Sequence, residues 1–151
     1  MVMQHQLTDL EAERLPLVDG DLALWRQVNL GRPYDVLLQA ITDDTPWRQE
    51  EITVYGKPCL QPRLSAWYGD LAYSYSGIRL EPLPWTPTLL DIKHRVEELV
   101  KHRFNSVLLN LYRDQRDSMG MHSDDERELG PEPAIASLSL GEERTFLLRH
   151  K

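Results

Sequence analysis

The residues of this chain with the clearest capacity for chemistry are a histidine and an aspartate two positions apart, His122 and Asp124. On an extended chain, residues i and i+2 point to the same side, so an imidazole nitrogen and a carboxylate oxygen converge there. A metal ion can bridge two such groups, which are two of the three ligands in the facial triad of non-haem Fe(II). Because His-x-Asp also occurs by chance, a solvated acidic loop that contains a histidine is the alternative.

The composition is that of a single globular domain. The chain has 151 residues, of which 41% are hydrophobic and 27% charged. One cysteine, Cys59, excludes an intramolecular disulfide and fits a cytoplasmic location. No apolar run reaches the ~20 residues of a membrane-spanning helix, so we expect no membrane partner. A net charge of −7 disfavours non-specific binding to nucleic acid, although a local basic face stays compatible with it.

Two helices follow from periodicity and from capping residues. The first is predicted over 33–43, with Pro33 near its start and one apolar face. The second is predicted over 88–104, with Thr86 or Thr88 as its cap and with an apolar stripe of 3.6-residue period. That stripe is formed by Leu89, Ile92, Val96, Leu99 and Val100. We interpret the second helix as a scaffold on the back of a sheet, without chemistry of its own.

The remaining chain is mainly short strands. Residues 1–15 are predicted to be a polar arm, 22–30 a short strand or turn, and 57–63 irregular, because two prolines keep that stretch from a central strand. Strands are predicted at 51–55, 66–70, 72–77, 105–112, 134–140 and 145–148. The pattern indicates an α+β, mainly β, fold: an antiparallel sandwich or barrel with helices on one side.

A series of motifs runs along the second half of the chain. They are Asn110-x-Tyr112, Asp117, His122-x-Asp124-Asp125-Glu126, Ala136-Ser137-Leu138-Ser139-Leu140-Gly141 and Arg144-x-Phe146. In this order and spacing they resemble the AlkB family of Fe(II)- and 2-oxoglutarate-dependent nucleic-acid repair dioxygenases, and from residue 122 to 137 especially the subgroup that acts on duplex DNA. The resemblance implies a double-stranded β-helix, or jelly roll, with an N-terminal helix and hairpin as nucleotide-recognition lid, in a single domain over 16–151.

The resemblance also implies a role for each matching residue of the centre. His122 and Asp124 would bind Fe(II), and Asn110 and Tyr112 would hydrogen-bond the co-substrate 2-oxoglutarate, since an amide and a phenol can donate to carboxylates. Asp125 and Glu126 would lie at the base pocket.

Further roles fall on the lid. Tyr73, Tyr75 and Ser76 match positions that stack on and hold a flipped base, although a packed sheet face is the alternative for the tyrosines. Val54-Tyr55-Gly56 matches a hydrophobic finger that wedges into the base stack, with a plain core strand as the alternative. Lys57 and Arg63 would lie near the phosphates or the gap left by the base, with solvated surface charge as the alternative.

The implied reaction consumes O2 and 2-oxoglutarate and removes the methyl group of 1-methyladenine or 3-methylcytosine in DNA. Its products are succinate, CO2, formaldehyde and the clean base. RNA is an alternative substrate, because a flipped base offers the same edges in either polymer. We expect a monomer.

The sequence departs from the family pattern in two ways. The second histidine ligand and the arginines that pair with 2-oxoglutarate belong to final strands that would follow Arg149-His150-Lys151, so we expect a C-terminally truncated member with little or no activity by itself. Gln115 stands where the family usually has a glycine. A non-catalytic nucleic-acid-binding paralogue and a cupin-like small-molecule metalloprotein are the competing interpretations, and the finger and the tyrosine lid argue against the second.

Overall fold

The computed structural model describes residues 11–75, 78–124 and 129–150, with only the backbone of Tyr75. Its helices are α1, Tyr34–Asp44, and α2, Pro87–Val100. Its strands are β1 Glu13–Leu17, β2 Gly20–Leu24, β3 Glu51–Val54, β4 Lys57–Leu60, β5 Leu64–Gly69, β6 Tyr73–Tyr75, β7 Ile78–Leu80 and β8 Ser106–Leu111. Within these residues the strands pair antiparallel as β1–β2, β3–β4, β5–β8 and β6–β7.

The β5–β8 pair is the sheet that positions the candidate site. Ser65 lies opposite Asn110 in its register, and Ala66 lies opposite Leu109. At its far end Gly69 has a φ of +145°, and a Cβ there would come within 2.5 Å of the carbonyl oxygen of Asn105. Only glycine combines this backbone conformation with so close an approach of the next strand.

Helix α2 covers one face of this pair. Ala66 and Tyr68 of β5 form a buried cluster with Leu89 of α2. Partly buried apolar side chains complete the cluster: Leu83, Trp85, Val107 and Leu109. Because side chains alternate along a strand, the opposite face carries Ser65 and Asn110, away from this cluster.

The second apolar cluster joins the two helices. Leu30, Leu37 of α1 and Ile92 of α2 are buried together, and Leu140 packs against them. This contact anchors the segment 134–150, which also reaches the β1–β2 turn, where His150 Nε2 lies 3.1 Å from Asp19 Oδ2.

The two ends of α2 are held by side chains. Thr86 Oγ1 accepts a hydrogen bond from the Leu89 N–H, which confirms Thr86 as the cap, and Lys101 ends the helix in the left-handed conformation. Buried Glu97 accepts a hydrogen bond from the backbone N–H of Phe104 at 2.7 Å. This bond, helped by ion pairs to Lys93 and Arg103, lowers the pKa of Glu97 to about 2 despite the opposing effect of burial.

The structure confirms both predicted helices but shifts several strand assignments. α2 ends at Val100 rather than at residue 104, because Lys101 adopts a positive φ. Residues 57–60, predicted to be irregular, form β4, where Pro58 is tolerated because both strands of a two-stranded hairpin are edges. Residues 13–15 of the predicted arm belong to β1.

The predictions of strands at 134–140 and 145–148 are wrong for the structure as described. No strand is assigned over residues 129–150, and most of their side chains are exposed. A β-branched and apolar pattern makes a strand only where a neighbouring edge supplies hydrogen bonds, and these segments pair with none of β1 to β8. Accordingly, the described sheets remain two-stranded and do not join into the larger sheets of a jelly roll.

Among the residues that the structure describes, no helix is long and apolar enough to cross a lipid bilayer.

Candidate active site

His122 and Asp124 lie on the loop that follows β8, and their side chains converge. The Nε2 of His122 is 3.4 Å from the Oδ1 of Asp124, and about half of each side chain is exposed. The Nδ1 of the same imidazole lies 2.8 Å from the carbonyl oxygen of Gly120. Since a carbonyl can only accept, Nδ1 donates to Gly120, and Nε2 is the ring nitrogen that faces Asp124.

This arrangement fits a metal centre. Two cis ligands, each about 2.1 Å from one ion, lie roughly 3 Å apart, close to the separation of Nε2 and Oδ1. Metal-binding histidines usually donate their other ring N–H to a carbonyl or a carboxylate, as His122 does to Gly120. In the described part of the chain, no cluster of three or more His, Cys, Asp or Glu side chains forms around them.

Asn110 and Tyr112, the predicted 2-oxoglutarate donors, extend along β8 toward this loop. Asn110 is exposed and Tyr112 is half-buried. Alternation along the chain gives them the face of the β5–β8 pair that α2 does not cover. Asn110 therefore lies in the strand, and Tyr112 just beyond its end, that leads into the loop of His122 and Asp124.

Arg63 lies on the same side of the sheet, where the sequence did not predict it. Continuing the β5–β8 register by one position puts Arg63 opposite Tyr112. Arg63 is 5% exposed and donates one long hydrogen bond, 3.4 Å from its Nε to Gln61 Oε1. The Nε2 of fully buried Gln61 has no hydrogen-bond partner among residues 11–75, 78–124 and 129–150. Both alternatives for Arg63 in the sequence analysis, a phosphate contact and a solvated charge, expected an exposed side chain.

The segment between Tyr112 and His122 is tied into a compact turn by ion pairs. Arg113 donates to both carboxylate oxygens of buried Asp117, at 2.7 and 2.9 Å, and its backbone N–H donates to the same group. These bonds lower the pKa of Asp117 to about 2. Arg116 pairs in the same way with Asp114, whose pKa is also lowered. The exposed Gln115 between them has a negative φ, so this turn does not require glycine there.

Arg144 joins this turn from a distant part of the chain. Its guanidinium carbon lies 4.5 Å from the centroid of the Tyr112 ring. Its two Nη atoms donate to the backbone carbonyls of Asp114 and Asp117. The sequence analysis singled out Arg144 in a motif but gave it no role, because a contact across 32 residues leaves no periodic signal in the sequence.

The tyrosines of the predicted lid lie on the β6–β7 hairpin. Tyr73 is 9% exposed, and its ring stacks on Trp67 of β5, with centroids 4.7 Å apart and an angle of 21° between the planes. One face of Tyr73 is therefore covered by an aromatic neighbour that the sequence analysis did not single out. The backbone of Tyr75 belongs to β6. Ser76, Asp125 and Glu126 lie outside the described residues.

The predicted finger is the tip of the β3–β4 hairpin. Tyr55 is fully exposed and has a φ of +48°, and Gly56 follows with a φ of +76°. Two consecutive positive φ values are typical of a type I′ turn, which favours Asn-Gly. Val54 is 41% exposed, and the neighbouring Lys57 is exposed as well. The alternative of a plain core strand is wrong for Val54 and Tyr55.

Comparison with known proteins agrees with this geometry. Residues 34–151 match the family model of the 2OG-Fe(II) oxygenase superfamily. The chain is 50% identical over 123 residues to human "Alpha-ketoglutarate-dependent dioxygenase alkB homolog 3", which covers 78% of this chain and 41% of the relative. It is 47% identical over 102 residues to human "DNA oxidative demethylase ALKBH2", covering 66% of this chain and 39% of the relative. The Arabidopsis thaliana protein of that name is 41% identical over 112 residues, which are 70% of this chain and 36% of the relative.

The chain thus spans about two fifths of the length of the curated relatives it matches. The family model covers well over half of the chain, and its span contains β8, the turn, His122 and Asp124. We therefore assign the chain to the 2OG-Fe(II) oxygenase superfamily, to which it belongs as a protein of the AlkB type.

Proposed function

We propose that this protein is an Fe(II)- and 2-oxoglutarate-dependent dioxygenase that oxidatively demethylates N-alkylated bases in DNA, with 1-methyladenine and 3-methylcytosine as substrates. The observation that carries the proposal is the convergence of His122 Nε2 and Asp124 Oδ1 at 3.4 Å. Both lie on the loop that follows β8, the strand that contains Asn110 and ends one residue before Tyr112. The names of the relatives, one an alpha-ketoglutarate-dependent dioxygenase and the other a DNA oxidative demethylase, support the reaction class.

In this proposal each group of the centre has one task. His122 and Asp124 hold Fe(II), and the hydrogen bond from His122 Nδ1 to Gly120 keeps the imidazole in the metal-binding tautomer. The Asn110 amide and the Tyr112 phenol donate hydrogen bonds to 2-oxoglutarate. When bound, iron, 2-oxoglutarate and O2 together supply the oxidation of the methyl group, which leaves as formaldehyde while 2-oxoglutarate becomes succinate and CO2.

The hairpins of the lid would handle the nucleic acid. The exposed Tyr55 ring at the tip of β3–β4 is suited to fill the gap that a flipped base leaves in a duplex. The Trp67–Tyr73 stack supplies an aromatic surface for the extruded base. Asp125 and Glu126 would accept hydrogen bonds from its exocyclic amino group, and a methylated, cationic base adds attraction to their carboxylates. We further propose that the protein acts as a cytoplasmic monomer.

Two binding measurements test this function. In the first, fluorescence anisotropy compares duplexes with and without one 3-methylcytosine, and we expect about tenfold tighter binding of the lesion, because its broken pairing lowers the cost of flipping. In the second, calorimetry measures 2-oxoglutarate binding with Mn(II) in place of Fe(II), since Mn(II) withstands air. The variant Asp124→Asn is the control that should lose metal-dependent binding of 2-oxoglutarate and retain binding of DNA.

The outcomes separate the competing interpretations. Lesion preference without any metal-dependent binding of 2-oxoglutarate would reject the enzyme in favour of a non-catalytic binding paralogue. Binding of 2-oxoglutarate without affinity for either duplex would reject the nucleic-acid substrate in favour of a small-molecule metalloprotein.

A further inference from the structure

The charges around Tyr112 do not balance. Within the described residues, the turn after Tyr112 brings together the guanidiniums of Arg113, Arg116 and Arg144 and the carboxylates of Asp114 and Asp117. Arg113 is paired with Asp117 and Arg116 with Asp114, whereas both hydrogen bonds of Arg144 go to neutral backbone carbonyls. Of these three guanidiniums, only that of Arg144 has no carboxylate partner among the described residues.

The charge of Arg144 is directed at one specific side chain. The guanidinium of Arg144 lies over the Tyr112 ring, 4.5 Å from its centroid, within the range of a cation–π contact. The bonds of its two Nη atoms to the carbonyls of Asp114 and Asp117 fix the plane of the guanidinium. The same bonds brace the turn that leads to His122. The chain as a whole is negative, with a net charge of −7, whereas the charge held against Tyr112 is positive.

We propose that Arg144 is a positioning residue for the co-substrate: it holds the Tyr112 ring in place from one face and supplies the positive charge that attracts the dicarboxylate to it. The inference rests on the proposed function, because it takes Tyr112 as a donor to 2-oxoglutarate. Arg144 acts through Tyr112 and through the field at the site, and it makes no step of the reaction itself. A dianion gains more from this field than a monoanion of the same shape.

The test compares two ligands and two variants in the full chain. The ligands are 2-oxoglutarate and 2-oxopentanoate, which has the same carbon chain and one carboxylate fewer, and calorimetry measures their binding with Mn(II). The variants are Arg144→Gln and, as a matched control, Arg149→Gln, which removes the same charge five residues further along from an exposed side chain. We expect Arg144→Gln to weaken the binding of 2-oxoglutarate about tenfold and the binding of 2-oxopentanoate much less. Arg149→Gln should change the affinity for neither ligand.

A second pair of variants guards against a simple loss of structure. Arg144→Lys keeps the charge and should recover part of the lost affinity. Tyr112→Phe keeps the ring and removes the hydroxyl, so combining it with Arg144→Gln should weaken 2-oxoglutarate by less than the product of the two single effects. Circular dichroism of each variant checks the fold.

The possible failures are distinguishable. If the unmodified chain binds 2-oxoglutarate and Arg144→Gln binds it equally well, the inference is overturned and the proposed function stands. If Arg144→Gln weakens both ligands to the same extent, the charge of Arg144 has no part in selection and the inference is likewise overturned. If the unmodified chain binds no 2-oxoglutarate in the presence of Mn(II), the proposed function fails and takes the inference with it.

Discussion

Ser65 of β5 lies directly opposite Asn110 of β8, and this pairing decides which way Asn110 and Tyr112, the proposed donors to 2-oxoglutarate, face. Residues opposite each other in an antiparallel pair share a face, so Asn110 is turned away from the apolar cluster under α2. A slip of one residue would turn Asn110 and Tyr112 into that cluster and bring Leu109 and Leu111 out. The apolar face of β8 therefore fixes the orientation of its polar one.

Gly69 should be essential for this register. A Cβ at this position would lie 2.5 Å from the carbonyl oxygen of Asn105, in a backbone conformation that side chains rarely adopt. We expect Gly69→Ala to reduce the free energy of unfolding by about 3 kcal/mol, measured in urea. Gly130→Ala is the control, since its φ is +74° with open space around it, and should cost about 1 kcal/mol. Equal costs would contradict the close approach of β5 and β8.

Glu97 should make stability depend on pH in the acidic range. Its pKa is lowered from 4.5 to about 2 in the folded chain, so the unfolded chain binds more protons between these values. The contribution, on the order of 2 kcal/mol, is complete above about pH 4.5 and is lost as the pH falls toward 2. Urea unfolding at a series of pH values should show the stability curves of the natural chain and Glu97→Gln converging below pH 4.5. Curves that run parallel would refute this.

Tyr55 at the tip of the β3–β4 hairpin should lower the stability of the chain and strengthen its binding to DNA. Tyr55 is fully exposed at a φ of +48°, a conformation that asparagine tolerates much better. We expect Tyr55→Asn to stabilise the chain by about 0.5 to 1 kcal/mol and to weaken binding of a 3-methylcytosine duplex. Thermal unfolding and anisotropy measure the two effects. Leu71→Asn, which removes another exposed apolar side chain, should leave DNA binding unchanged. A Tyr55→Asn variant with undiminished affinity would exclude the finger.

The buried Arg63 should lower the free energy of unfolding of the chain. Within the part of the chain that the structure describes, its buried guanidinium makes one hydrogen bond, of 3.4 Å, and no ion pair, and a buried charge without a carboxylate partner is destabilising. We expect Arg63→Met, which retains the length of the side chain, to raise the free energy of unfolding by about 1 kcal/mol or leave it unchanged. A decrease of several kcal/mol in the free energy of unfolding would instead show that Arg63 stabilises the fold.

The features of the fold and of the candidate site that depend on neighbouring residues could be predicted from the sequence. The period of α2, a threonine cap before it and the strand that became β8 depend on local signals, and the structure has each of them. The convergence of His122 and Asp124 is likewise local, because only Ser123 separates them in the sequence.

The contacts that the sequence did not reveal join distant parts of the chain. Arg144 over Tyr112, Trp67 on Tyr73 and the burial of Arg63 depend on how separate segments pack. The mistaken strands at 134–140 and 145–148 have the same cause, since an apolar alternating pattern does not reveal whether an edge is there to receive it.

The account depends most directly on His122 and Asp124 as metal ligands, and anaerobic calorimetry of Fe(II) binding tests this point. We predict that the unmodified chain binds one Fe(II) and that His122→Ala and Asp124→Ala each weaken this binding at least about tenfold. His94→Ala, which removes an exposed histidine from α2, should bind as the unmodified chain does. Equal Fe(II) affinity in the unmodified chain and in His122→Ala would contradict the proposed centre.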